Sequence, residues 1–338
     1  MSAPAPSMLS PAARATAEKI GLSLGRANLE EFAIILQSLA HNNRHIVVVT
    51  SDSRGSGKLG PFAEALPQQL IEVGIAEQNL VGIAAGLASA GKKSFAVSPA
   101  CFLTARALEQ IKNDVCYSDV PAALIGISAG VSYGALGSTH HSLHDLAALR
   151  AIHNISIIVP ADNFETREAI LAAAGADHPV YIRFGKAPLY DLHASTATFA
   201  VGSAITLCDG YDVAFLATGE TVVHCRLAAA MLAEQGVGCR VVSLHTIKPL
   251  DTESVIQAGR QCRAVVTAEE HSICGGLGEA VASTLMQAGV AVPMRIIGIP
   301  DEDTVTGSQS DIFRHYGITM EGLAQTATEL LASAEISA

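Results

Sequence analysis

The sequence predicts an α/β protein of two doubly wound domains, each a parallel sheet covered by helices on both faces. Three observations predict it. Short β-branched or aliphatic runs recur along the chain, each followed by a helical pattern, and strands alternating with helices imply a buried parallel sheet. Of the 338 residues nearly half are apolar and only 16% are charged, which suits two domains of ordinary size and argues against disorder. Aromatic residues amount to 4% and Trp is absent, so small aliphatic side chains must fill the core, as they do where helices pack closely on sheets.

Taken in order, residues 1–24 read as an arm. The opening "MSAPAPSMLSPAARATAEK" is rich in Ala, Pro and Ser, lacks the apolar run of a signal peptide and reads as a loose lead into a first helix. A first domain is assigned to 25–190, with strands at "HIVVVT" (45–50), "SFAV" (94–97), "AALIGIS" (122–128), "ISIIVP" (155–160) and "VYIRF" (180–184). The apolar stretch 73–91 is long enough to cross a bilayer, but Glu77, Gln78 and Asn79 sit in it and five of its residues are Ala. A buried globular helix fits it better than a membrane span. Between Gly185 and Gly202 periodicity lapses into "GKAPLYDLHASTATFAVG", which marks a boundary. A second domain over 200–335 resumes the alternation with "DVAFLATG" (212–219), a helix near 222–234, "CRVVSL" (239–244), a helix near 252–258, "AVVTAEE" (264–270), "PMRIIGI" and a terminal helix ending near Leu331.

The net charge of −11, with no long basic run, argues against a nucleic-acid surface and leaves room for local Arg sites that take small phosphorylated ligands. Seven scattered cysteines with no C-x-x-C pair read as the reduced thiols of a cytoplasmic protein.

Ligands of open parallel sheets bind beyond the carboxyl ends of the strands, so 51–60, 98–106, 129–145 and 183–188 are the segments to inspect. Glu77 stands out first. At helical spacing it shares a face with Val73, Leu80, Val81 and Ala84, and a carboxylate in that company must find a partner or hold a proton. Catalytic carboxyls are tuned in this way, and buried structural ion pairs arise in the same way. Gly82 and Gly86 give the same helix a small-xxx-small face that lets another helix approach closely, so Glu77 would lie near an interface if a second subunit supplied that helix. The segment "GALGSTHHSLHDL" offers His140, His141, His144 and Asp145 after a Gly-rich loop. Without H-E-x-x-H or a nearby Cys, metal binding is the weaker reading; hydrogen bonding to a polar substrate or proton transfer is the stronger. No nucleophile elbow supports a Ser-His-Asp reading through Ser142. Arg54 in its Ser/Gly loop and Arg183 at a strand end, with Lys186 just beyond, offer donors to an anionic substrate. "CGGLGEA" (274–280) lacks the third glycine of a nucleotide-binding turn and reads as tight packing of helix on strand.

Several motifs in fixed order, "VGIAEQNLVGIAAGLA", "FLTARALEQIKNDV", "GVSYGALGSTHHSLHDLAALRAI", "IIVPADNFETREA" and "VYIRFG", resemble the pyrimidine-binding half of transketolases and of 1-deoxyxylulose-5-phosphate synthase. From about Ala200, including "SLHTIKPLD" and "AEEHSICGGLGEA", the chain resembles their C-terminal domain. The resemblance implies a thiamine-diphosphate enzyme. Glu77 matches the buried Glu that hydrogen-bonds the cofactor's aminopyrimidine nitrogen and activates it. Phe102 matches the aromatic residue packed on that ring, and His140 the residue that contacts the donor sugar. Arg54 and Arg183 lie where the family binds substrate phosphate, with Asp52 supporting the Arg54 loop. Two positions depart from the pattern. Leu136 stands where ordinary transketolases carry an Asp that reads a sugar hydroxyl, and Ala105, followed by Arg106, stands where an aromatic residue or Arg is usual. The Gly-Asp-Gly motif that holds diphosphate and Mg2+ is absent, so the resemblance implies the C-terminal subunit of a split transketolase. The partner would be an N-terminal subunit carrying the diphosphate and most of the Mg2+ contacts, in an α2β2 heterotetramer. The expected reaction is transfer of a two-carbon ketol unit from a ketose phosphate to an aldose phosphate. The alternatives are the β subunit of a 2-oxoacid dehydrogenase, a deoxyxylulose-phosphate-synthase-like enzyme, or a non-catalytic regulatory subunit.

Overall fold

The computed structural model describes residues 8–194 and 196–336. Its first sheet has seven strands in the spatial order Thr246–Lys248, Ser156–Ile158, Val180–Phe184, Ala123–Ile127, Lys93–Pro99, Ile46–Thr50 and Leu70–Glu72. All neighbours run parallel except Thr246–Lys248, which joins Ser156–Ile158 antiparallel. The second sheet has five strands in the order Met294–Ile299, Ala264–Ser272, Val213–Ala217, Cys239–Ser243 and Ile205–Cys208, with only the last antiparallel. The long runs read from the sequence are all strands. Every residue of Ile46–Thr50, Ala123–Ile127 and Val180–Phe184 is buried, as a sheet covered on both faces requires.

Thr246–Lys248 is the structural surprise: a segment of the second half completes the first half's sheet. Lys248 fastens this edge by donating its ammonium to the Arg150 carbonyl at 3.2 Å and to the Ile152 carbonyl. The largest hydrophobic core follows the strand across, running from Val49, Leu80 and Leu124 through Leu146 and Ile247 to Leu216, Val265 and Leu277. The two halves therefore share one core.

Three local expectations change. The arm is not loose over its described part. Ser10 accepts a hydrogen bond from the Ala13 amide at 3.1 Å and caps the helix Pro11–Lys19, whose buried Ala13 and Ala17 pack on Val223, Leu227 and Met320. The earlier part, residues 1–7, lies outside the described residues. Within the aperiodic segment, Pro188–Tyr190 pairs with Leu24–Ala27 in a small antiparallel ribbon. Finally, the apolar helix starts at Glu77 and not at Val73, because Gly74 takes a positive φ of 71°, a turn conformation that a helix cannot pass through. No described helix is long and apolar enough to cross a membrane.

Candidate functional site

The strand order brings the inspected loops together at the carboxyl edge of the first sheet. Leu70–Glu72 leads to Glu77, Ile46–Thr50 to Arg54, Lys93–Pro99 to Phe102, Ala123–Ile127 to His140, and Val180–Phe184 to Lys186. The first two loops are tied together by Glu72, whose Oε1 accepts from the Asp52 amide at 2.7 Å and the Gly74 amide at 3.0 Å. Support for this loop thus passes through Glu72 and the Asp52 backbone.

Glu77 is the first residue of its helix, where the amide ends favour a carboxylate. Its side chain is only 4% exposed, and Oε1 accepts a 2.9 Å bond from Arg106 Nη1. Beside the pair opens a cleft of about 620 Å³ lined by Ile75, Ala76, Gln78 and Asn79. Phe102 and Arg106 lie four apart on the helix Ala100–Arg106, the spacing that lets side chains meet. The guanidinium carbon sits 4.2 Å from the centre of the Phe102 ring. His140 follows, edge-on at 5.3 Å from Phe102 and 5.4 Å from Tyr133, with its Nδ1 held 2.9 Å from the Thr139 hydroxyl. Lys186 closes the row, its ammonium 3.6 Å from the centre of the Tyr133 ring. Burial lowers the pKa of Lys186, against an opposing pull from Cys101. Glu77, Arg106, Phe102, His140, Tyr133 and Lys186 thus form one contiguous line of carboxylate, cation, rings and cation.

Three residues expected at the site, Glu77, Phe102 and His140, come together there. Arg183 does not. It is 2% exposed and binds Asp145 Oδ1 at 2.6 Å, the Glu270 carbonyl at 2.6 Å and the Ser142 carbonyl at 3.3 Å. The expectation that Arg183 grips a phosphate is corrected for this reason: its charge is already taken up inside the protein. Arg54 is exposed on its loop at the same sheet edge. The histidine cluster disperses. His141 is buried with Nε2 3.0 Å from the Gly134 carbonyl, and His144 turns to the Thr104 hydroxyl at 3.3 Å. Asp145 is committed to Arg183 and to the Tyr181 hydroxyl at 2.7 Å, so no triad forms through Ser142. In "CGGLGEA" the helix N-terminus already holds an internal carboxyl group. Glu269 accepts from the Leu277 and Gly278 amides at 2.7 and 2.8 Å, and a Cβ on Gly278 would stand 2.3 Å from Ile296. Close packing is the role of these glycines.

Sequence reasoning missed the parts played by Arg106 and Tyr133, and named Lys186 only beside Arg183. The i, i+4 spacing of Phe102 and Arg106 was the available signal for the first. Tyr133 has no periodic signal, because it lies in an irregular loop and its cation, Lys186, follows another strand. A second missed feature lies beneath the site, where Gln309 donates to Glu220 at 2.6 Å and to Glu270 at 2.8 Å. Burial pushes Glu220 up to about 7, against the pull of Gln309, and pushes Glu270 well above the usual carboxylate range, with Glu220 adding to the rise. Both carboxyls, lying between the two halves, thereby hold a proton more readily than ordinary carboxyls.

Residues 27–190 match the family described as "Transketolase, pyrimidine binding domain", and residues 202–323 match "Transketolase, C-terminal domain". Over 303 residues the chain is 46% identical to one of the subunits of the apulose-4-phosphate transketolase of Phocaeicola vulgatus, covering 89% of this chain and 96% of the relative. The chain belongs to the transketolase family. It is also 36% identical to a putative transketolase C-terminal section of Methanocaldococcus jannaschii, covering 87% of this chain and 93% of that one. Among solved structures, a split gene transketolase described as an inactive beta4 tetramer superposes with a TM-score of 0.82 at 35% identity, covering 91% of this chain and 99% of the other. In transketolase terms, the line from Glu77 to Lys186 lies in the pyrimidine-binding half, and Glu220, Glu269, Glu270 and Gln309 lie in the C-terminal half.

Proposed function

We propose that this chain is the catalytic C-terminal subunit of a two-chain transketolase that moves a two-carbon ketol unit from a ketose phosphate to an aldose phosphate. An N-terminal subunit completes the site in an α2β2 assembly, with thiamine diphosphate held between the chains and Mg2+ chiefly on the partner. The observation that carries this reading is a buried carboxylate, Glu77, at the mouth of an open cleft and bridged by Arg106 to an aromatic ring, Phe102. The pair suits an aminopyrimidine: Glu77 and Phe102 already hold a flat N–H donor between them, the Arg106 guanidinium. When bound, the cofactor supplies the electron sink for breaking and making the carbon–carbon bond.

The chain's own residues supply the rest. Glu77 hydrogen-bonds the ring nitrogen and shares its proton, and Phe102 fixes the plane of the ring. His140, oriented by Thr139, meets the hydroxyls of the donor sugar, and Lys186 receives the anionic end, the role first assigned to Arg183. Arg54, exposed at the same edge, is a second contact for phosphate. Leu136, 54% exposed in the turn before His140, cannot accept a hydroxyl and favours a donor without one at that point. Relatives named for apulose 4-phosphate make that ketose phosphate the first donor to assay. Seven free thiols, of which only Cys274 is exposed, support a reducing cytoplasmic setting.

Two measurements test the proposal. The native chain should co-purify in equal amount with a partner bearing the Gly-Asp-Gly motif. In that complex Glu77→Gln should lower kcat by at least about a hundredfold, the scale of a general acid–base contribution, with assembly intact. A chain that elutes only with itself, or a Glu77→Gln complex of undiminished activity, defeats the reading.

A further inference from the structure

The Arg106 side chain makes the two contacts that the aminopyrimidine needs. Its guanidinium is planar, lies 4.2 Å from the Phe102 centroid and donates to Glu77 Oε1 at 2.9 Å. A buried carboxylate beside an open cleft is costly without a cation or donor, and Arg106 meets that need from within the chain. A ring seated on Phe102 and bonded to Glu77 draws on the same aromatic ring and the same carboxylate that Arg106 already engages. The two groups therefore compete for the slot between Glu77 and Phe102.

We propose that Arg106 is a placeholder for the cofactor's aminopyrimidine: it fills the slot between Glu77 and Phe102 in the partner-free subunit and withdraws when the ring enters. This rests on the reading of Glu77 and Phe102 given above. The side chain is built to leave. It is the last residue of a short helix, its side chain is 48% exposed, and Glu109, exposed three residues further on, offers a second carboxylate on the solvent side. The placeholder keeps Glu77 compensated before assembly and makes pyrimidine entry a competition that the complete cofactor, with its diphosphate held by the partner, is equipped to win. It also gives Arg106 a purpose next to Ala105, at a point where the chain departs from its family's usual pattern.

The test uses the full-length chain without its partner, titrated calorimetrically with 4-amino-5-hydroxymethyl-2-methylpyrimidine. Losing a half-exposed ion pair and a cation–π contact that compete with the ligand should tighten binding about tenfold in Arg106→Ala. Arg106→Lys, which keeps the charge without the plane, should fall between the two. Millimolar methylguanidinium should refill the slot and cancel the gain in Arg106→Ala while leaving the wild type unchanged. Equal or weaker binding by Arg106→Ala overturns the placeholder, because Arg106 would then be a lasting part of the site. Insensitivity of that variant to methylguanidinium overturns it too. If neither chain takes the pyrimidine, the reading of Glu77 and Phe102 fails and the placeholder falls with it, an outcome distinct from equal, measurable binding by both.

Discussion

The reassignment of Arg183 from substrate contact to internal strut has a measurable consequence. Asp145 is completely buried and accepts from Arg183 Nη1 at 2.6 Å and the Tyr181 hydroxyl at 2.7 Å. Burial alone would raise its carboxyl, but Arg183, His271 and the Tyr181 hydroxyl overcome that and hold it below the ordinary carboxylate range. Asp145→Asn keeps the shape and an acceptor for Tyr181 and removes only the charge. Arg183 then loses its directly bonded carboxylate and keeps only carbonyl oxygens as hydrogen-bond acceptors, a situation that costs about 3–5 kcal/mol. With a urea slope of about 3 kcal/mol per molar for a chain this large, the unfolding midpoint followed by circular dichroism should drop by about 1–1.7 M. Arg183→Met should lose stability by a similar amount, and Asp145→Asn with Arg183→Met together should lose clearly less than the sum, since removing both charges leaves no orphan. A midpoint unmoved by Asp145→Asn would refute the strut. So would an Arg183→Met enzyme that is fully stable yet shows a raised KM for phosphorylated substrate.

Two further outcomes follow from the same geometry. Lys186→Met should raise KM for a phosphorylated acceptor about tenfold, the value of one modest charge-assisted contact, with much less effect on the dephosphorylated sugar; equal effects on both would remove Lys186 from the anion site. His193, in the linker between the halves, lies 2.7 Å from Asp162 and 3.1 Å from Glu165, and although burial opposes its charge, these carboxylates raise it from 6.5 to about 10. The folded protein therefore binds more protons than the unfolded chain across that window. The stabilisation is fully present below 6.5 and is lost as pH rises through 10, so the urea midpoint should fall steadily across that interval, and His193→Gln should flatten the fall. An equally steep fall in the variant would place the titrating group elsewhere.

The parts of the fold legible in the sequence are those whose signal is local. "HIVVVT", "AALIGIS" and "VYIRF" are continuous apolar runs because both faces of the strands are covered, and the structure makes each a fully buried strand. Leu24–Ala27, Leu70–Glu72, Pro188–Tyr190 and Thr246–Lys248 are strands of three or four residues, too short to display a period, and they exist because a distant partner offers a free edge. Glu77 was legible for a related reason. One charge in an apolar helix is a local contradiction, and its resolution by Arg106, 29 residues away, is not.

Arg183 and Arg106 show why the same residue type misleads in one place and informs in another. Both are cations close to the carboxyl end of a strand, and Arg183, within the strand's last two residues, stands where a ligand contact is expected. In a sheet covered on both faces, however, that position points into a helix layer, and the helix that arrives there carries Asp145. Arg106 sits one helix beyond its strand, past the cover, where its guanidinium reaches the cleft. The buried cation in turn reaches the Glu270 carbonyl and so anchors the C-terminal half beneath the pyrimidine-binding half, along the same seam that Thr246–Lys248 closes at the sheet edge. The charge expected to meet a substrate instead holds together the floor on which the line from Glu77 to Lys186 is built.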